Sequence, residues 1–150
     1  MTREISSTRI RDTIARLCIS ANMDLPGDIR AALDCSLQTE TSPAGQAVLE
    51  ELIQNADIAS RSRMPICQDT GMAIVFAEVG QDVHITGGDF ERAIHEGVAL
   101  GYRQGYLRAS VVADPLIRRN TGDNTPAVIH TRIVPGDRIH LTVMPKGAGS

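Results

Sequence analysis

The chain has 150 residues, of which 42% are apolar and 22% charged, with a formal net charge of −3. That length allows one hydrophobic core, and the composition excludes a disordered or membrane-embedded class. Aromatic residues are only 3% and Trp is absent, so there is little surface on which bases could stack and no positive field for phosphates; nucleic-acid binding is not expected.

In chain order, Arg3, Arg9, Arg11, Asp12 and Arg16 interrupt the apolar positions of the N-terminal region. No signal h-region or membrane span fits there, and a cytoplasmic location is expected. Ile10, Ile14, Leu17 and Cys18 share one helical face and predict a helix ending near Asn22. Pro26 suits the first turn of a second helix carrying Ile29, Leu33 and Leu37. Ser42 as N-cap and Pro43 at N1 open a third, with Val48, Leu49, Leu52, Ile53 and Ala56 as its predicted buried stripe.

Helical spacing breaks at Arg61, where S-R-M-P-I-C-Q-D-T-G predicts a loop. Met72 to Val79 reads as a strand, and Gly80-Gln81 as a hairpin turn that pairs it with Asp82 to Thr86. Asp89 caps a helix running to about Gly105, with Phe90, Ile94, Gly97, Val98 and Gly101 on one face and glycines suited to close packing on a sheet. Arg108 to Ala113 reads as a strand and Asp114 to Pro126 as a polar loop. Val128 to Val134 and Arg138 to Met144 predict a hairpin around Pro135-Gly136-Asp137. The expected fold is α/β (or α+β), a single domain over residues 1–150 with N-terminal helices followed by a mixed sheet and an intervening helix.

Cys18, Cys35 and Cys67 are an odd number without a C-x-x-C pair, which fits reduced thiols. Cys18 and Cys35 fall on apolar helical faces, where a buried thiol is the expected state. Cys67-Gln68-Asp69-Thr70-Gly71 instead puts a soft sulfur ligand, an amide, a carboxylate and a hydroxyl on one loop. A thiolate there can bind a metal and the carboxylate can move protons, but the same residues also serve as a small hydrophobe and a turn. Arg108, Arg118 and Arg119 flank the polar loop and can either seat a small dicarboxylate or pair with Asp114 and Asp123. Lys146-Gly147-Ala148-Gly149-Ser150 could aim backbone N–H groups at an anion or act as a solvated linker, and it lacks a phosphate-loop pattern. His84, His95, His130 and His140 show no zinc-binding spacing.

Taken in order, M-P-I-C-Q-D-T-G, E-V-G-Q-D-V-H-I, L-R-A-S-V-V-A-D-P-L, N-T-G-D-N-T-P-A-V-I-H and K-G-A-G-S resemble the α chain of class I, iron-sulfur-dependent fumarate hydratases. L-tartrate dehydratase α chains share C-Q-D-T-G and rank second. The resemblance implies a lyase that reversibly hydrates fumarate to malate, with a 4Fe-4S cluster as Lewis acid. It implies that Cys67 is one cluster ligand, that Gln68 and Asp69 reach the substrate with Asp69 donating or accepting a proton, that Arg108 holds a substrate carboxylate, and that Gly149 belongs to a substrate-binding glycine loop.

Chains of that family continue with about as many residues again, carrying two further cluster cysteines, and work with a β subunit or domain. The resemblance therefore implies a fragment, a shortened chain or a split subunit, inactive alone, whose partners are the rest of the α chain, the β part and further copies in a homo- or hetero-oligomer. Two alternatives stand beside it. One is a dehydratase of the same family acting on tartrate or a methyl-substituted dicarboxylate; the other is a non-catalytic interaction module.

Overall fold

A computed structural model describes residues 2–147. The elements are β1 (Arg3–Ser6), α1 (Ser7–Met23), α2 (Gly27–Thr39), α3 (Pro43–Ser62), β2 (Met72–Gly80), β3 (Val83–Thr86), α4 (Phe90–Gln104), β4 (Val128–Val134) and β5 (Ile139–Lys146). The α/β expectation, with helices first and a mixed sheet after them, agrees with this order. None of the helices is long and apolar enough to cross a membrane among the described residues.

The chain divides into two compact units, Ser20–Gln68 and Met1–Ile19 with Asp69–Ser150. In the helical unit, α3 begins where the Ser42 hydroxyl accepts the Gly45 N–H, with Pro43 at the helix start. It ends at Arg63, whose left-handed backbone closes the last turn onto the Ala59 carbonyl. Arg30 on α2 ties that helix to α3 through Asp57 and also bonds Asp34 one turn along. Of the five residues predicted for the α3 stripe only Ala56 is buried, while Val48 and Leu52 are 56% and 49% exposed. A stripe marks the side that can be covered and does not supply the cover. Cys35, expected to be buried, is exposed as well.

In the other unit α1 and α4 pack through glycine. A Cβ on Gly97 would stand 2.6 Å from the Arg11 carbonyl oxygen, and one on Gly101 2.7 Å from that of Ala15. These glycines therefore admit a helix, where close approach to a sheet was expected. Ile14, Cys18, Ile94 and Val98 are fully buried, each such aliphatic side chain contributing about 1.5–3 kcal/mol by leaving water. Burial also pushes the Cys18 thiol up to about 12.

The three-stranded sheet has the order β4-β2-β5, with β2 parallel to β4 and antiparallel to β5. Ala73, Val75, Ala77 and Val79 alternate inward along β2 as the strand period requires. Both predicted hairpins fail here. β2 already has a neighbour on each edge, so β3 leaves it and pairs in parallel with β1, a strand the sequence reading missed. The turn at Pro135-Gly136-Asp137 does form, but it crosses the end of β2 and delivers β5 to the opposite edge. Gly80 permits that crossing, since a Cβ there would lie 2.4 Å from the Gly136 carbonyl oxygen. The predicted strand at Arg108 to Ala113 is irregular apart from one bridge, Val112 to Asn120.

Candidate active site

The loop after α3 is held before it reaches its reactive residues. The Ile66 N–H donates to the Asn22 carbonyl at 2.9 Å, and the Asn55 side-chain amide donates to the Ile66 carbonyl at 2.9 Å. Cys67 and Gln68 follow, both exposed, and Cys67 is a free thiol. They close the helical unit, and Asp69 opens the other.

Within that second unit, three distant segments meet on Thr70 and Gly71. Gly71 has φ of +60°, and a Cβ there would lie 2.2 Å from the Lys146 carbonyl carbon and oxygen. Only glycine fits both the backbone angle and the end of β5. Asp69 Oδ1 accepts the Gly71 N–H at 3.1 Å, an Asx turn that fixes the carboxylate over its own loop. The buried Thr70 hydroxyl donates to the Arg108 carbonyl at 2.8 Å, which brings the backbone of Arg108 beside the D-T-G segment.

The carbonyls of Thr70 and Gly71 accept the Tyr102 hydroxyl at 2.8 and 3.2 Å, so α4 braces the loop from below its surface. Asn124, wholly buried with φ of 62°, completes the junction. Its amide donates to the Gly71 carbonyl at 3.0 Å, while its Oδ1 accepts the N–H groups of Ser110 and Val111 at 2.7 and 3.2 Å. One side chain thereby joins the D-T-G loop to the segment that carries Arg108.

The sequence reading treated Asn124 only as loop architecture and did not single out Tyr102. An Asn ahead of Thr-Pro in a polar loop was the available signal for a left-handed position; nothing local revealed its partner at Gly71.

Asp69 is half-buried and Arg108 exposed, and no ion pair among the described residues neutralises either charge. Arg118 and Arg119 are exposed too. They do not pair with the loop carboxylates, because Asp114 accepts the N–H groups of Leu116 and Ile117, and Asp123 accepts the Thr125 N–H and hydroxyl. The Thr125 hydroxyl bond is the main cause that holds Asp123 below its ordinary value, against a smaller opposing effect of burial. His95 Nδ1 accepts the Ala127 N–H at 3.2 Å, a structural task for that ring. Gly149 lies outside the described residues, although Gly147, which leads to it, abuts Gly71.

No group of three or more His, Cys, Asp or Glu side chains among the described residues could hold a metal by itself. Cys18 is fully buried in an apolar seam and its thiol is hard to ionise, so it cannot serve. Cys35 and Cys67 are both exposed free thiols, and of the two only Cys67 stands on the loop that carries Asp69, where its sulfur could serve as one ligand of a site that needs others.

The sequence profile described as fumarate hydratase (Fumerase) matches residues 11–150. The chain belongs to this family. A protein of Methanocaldococcus jannaschii provisionally named L(+)-tartrate dehydratase subunit alpha is 34% identical over 148 residues, 95% of this chain and 52% of that protein. The aerobic class I fumarate hydratase of Escherichia coli is 37% identical over 127 residues, 83% of this chain and 23% of the enzyme. Fumarate hydratase 2 of Leishmania major is 39% identical over 113 residues, 74% and 20%. This fumarate hydratase family member thus spans about half the length of the first relative and under a quarter of the others.

Proposed function

We propose that the chain forms part of a hydro-lyase that interconverts fumarate and malate within a larger assembly. The observation that carries this reading is the junction at Gly71, which gathers Asp69, the Arg108 segment and the end of β5 into one neighbourhood from far-apart places in the chain. Hydration forms a C–O bond at one alkene carbon and a C–H bond at its neighbour as the π bond is lost. The reverse removes a proton next to a carboxylate while hydroxide leaves the adjacent carbon.

Such chemistry needs cations and hydrogen-bond donors where negative charge develops. Arg108 supplies a planar fork for one substrate carboxylate. Gln68 and Asp69 contact the substrate, Asp69 donating or accepting the proton, and Gly149 contributes a backbone N–H. Cys67 holds one corner of a 4Fe-4S cluster whose other two cysteines lie in the remainder of the α part. When bound, the cluster supplies Lewis acidity toward the hydroxyl that adds or leaves. A β subunit or domain, further copies of the chain and a cytoplasmic setting complete the proposal.

A second reading, tartrate dehydration, is favoured by the relative that matches 95% of this chain. Steady-state kinetics of the assembly with fumarate, malate and tartrate separate the two, and Asp69 and Arg108 variants test the roles. Asp69→Asn keeps shape and loses the ionisable group, so kcat should fall by roughly 10²–10⁴. Arg108→Lys keeps charge and loses the fork, so KM should rise. Unchanged kinetics in both variants would remove the proposed site, while turnover of tartrate alone would replace the substrate and leave the site standing.

A further inference from the structure

We infer that the chain has a second anion site, a binding cavity for a small polyanion bearing phosphate or carboxylate groups, built by Arg3, Arg9, Arg16 and Arg138. These arginines line one cavity of about 540 Å³, together with the apolar Ile10 and Leu141, and no carboxylate lines it. Arg3 comes from β1, Arg9 and Arg16 from one face of α1 two turns apart, and Arg138 from the residue before β5. The volume is that of a typical small-ligand site. None of its lining residues is Asp69, Arg108 or another residue of the Gly71 junction, so it is distinct from the proposed substrate site.

What sets these four apart is convergence on one concavity. Arg11, Arg30, Arg63 and Arg92 each meet a carboxylate at the surface, and Arg61, Arg103, Arg108, Arg118, Arg119 and Arg132, which meet none among the described residues, do not line this cavity. The four cavity arginines take part in no ion pair among the described residues, and Arg16 has only the Thr13 hydroxyl, at 3.4 Å. In a chain of net charge −3, acids were available to neutralise them. Gathering four unpaired guanidinium groups at one concavity costs free energy through mutual repulsion and focuses a positive potential there. A multivalent anion removes that cost, and guanidinium forks match both phosphate and carboxylate oxygens. The apolar wall favours a compact organic body over a bare ion.

Calorimetric titration of the purified assembly at a fixed ionic strength of about 0.15 M, where surface attraction is largely screened, tests the site. Sodium tripolyphosphate and sodium citrate are the two probes. Saturable binding of one anion per chain is expected, and the tighter probe tells phosphate from carboxylate chemistry. Arg9→Gln combined with Arg138→Gln should weaken it by about tenfold or more per charge removed. Arg16→Gln gives a single-charge check should the double variant fold poorly. Asp69→Asn and Arg108→Lys should leave this binding intact, so loss of the substrate site and loss of this one are read separately. Failure of both probes to saturate, or binding that survives Arg9→Gln/Arg138→Gln and Arg16→Gln, overturns the inference.

Discussion

Helices α3 and α4 look alike as sequence and behave differently as structure. Each opens on a side-chain cap, Ser42 for α3 and Asp89 for α4, and each carries an apolar stripe. On α4 the stripe is sealed, with Ile94 and Val98 at 0% exposure, while on α3 Val48 and Leu52 remain about half exposed. The difference lies in the glycines. Gly97 and Gly101 let the backbone of α1 approach to within contact of α4, so apolar side chains on both helices interdigitate. α3 is instead tied by polar contacts, the Arg30 fork at Asp57 and the Asp24 carboxylate at Ser60 and Arg63. One helix is held by packing and the other by polar edges, and only the first also supports the candidate site, through Tyr102.

The largest effect should come from the polar junction that α4 braces. Asn124→Ala leaves the N–H groups of Ser110 and Val111 without their acceptor, leaves the Gly71 carbonyl only the Tyr102 hydroxyl, and puts alanine at a left-handed position. Together these cost about 3 kcal/mol or more, measured by denaturant unfolding. In the assembly kcat should fall as well, because the loop carrying Asp69 and the Arg108 segment lose one of their ties and keep only the Thr70 hydroxyl on the Arg108 carbonyl. A stable Asn124→Ala protein with native turnover would show that Tyr102 and the Asp69 turn suffice.

Next in size is the direct trial of the two stripes. Ile94→Ala opens a cavity in a sealed seam and should cost about 2–5 kcal/mol, whereas Leu52→Ser at a half-exposed position should fall within about 0.5 kcal/mol of wild type. Equal losses in the 150-residue chain would erase the contrast. A Leu52→Ser loss that appears only in the full assembly would sharpen it, by showing that other parts of the assembly cover α3.

What could be read in advance follows the same division. Local chemistry was legible: both caps, the breakpoint at Arg61, the α4 face and the density of reactive groups at Cys67 to Gly71 all depend on neighbours a few residues apart. Partner choice was not. Gly80-Gln81 and Pro135-Gly136-Asp137 each specify a turn, but whether a strand folds back or crosses to another edge depends on which edges of β2 are already taken. The exposure of Cys35 and of Leu52 likewise depends on what lies opposite, and periodicity is silent on that. At the candidate site, Cys67 to Gly71 stood out as a dense local motif, whereas Asn124 did not, because its partners, the Gly71 carbonyl fifty-three positions earlier and the N–H groups of Ser110 and Val111, are brought to it by the fold.

The smallest expected effect is on acidification, and it separates the two helices by how far each relies on ionised carboxylates. Asp24 is held below its ordinary carboxyl value first by the Ser60 hydroxyl and then by Arg63, and Asp57 is held below it first by the Arg30 fork. A carboxyl whose folded pKa lies under its unfolded one stabilises the fold fully above the unfolded value, near 3.8 for Asp24 and Asp57. That contribution fades as pH falls through the folded value. Both groups are substantially exposed, so solvent screening keeps the contribution small. The helical unit should therefore be insensitive between about pH 5 and 8 and loosen at more acid pH, while the α1–α4 seam rests on Ile14, Ile94 and Val98, the carboxylates of α4 (the Asp89 cap and Glu96 on Arg92) lying on its exposed side and first turn. Amide hydrogen exchange followed at pH 6 and again near pH 3, below the unfolded carboxyl value and corrected for intrinsic rates, distinguishes them: protection in α3 should drop more than protection around Ile94 and Val98 in α4. Asp24→Asn should lessen the drop in α3, because the titrating group is gone. An equal drop in both helices, or one that Asp24→Asn leaves unchanged, would mean that polar edges do not hold α3 and that the contrast with α4 rests on packing alone.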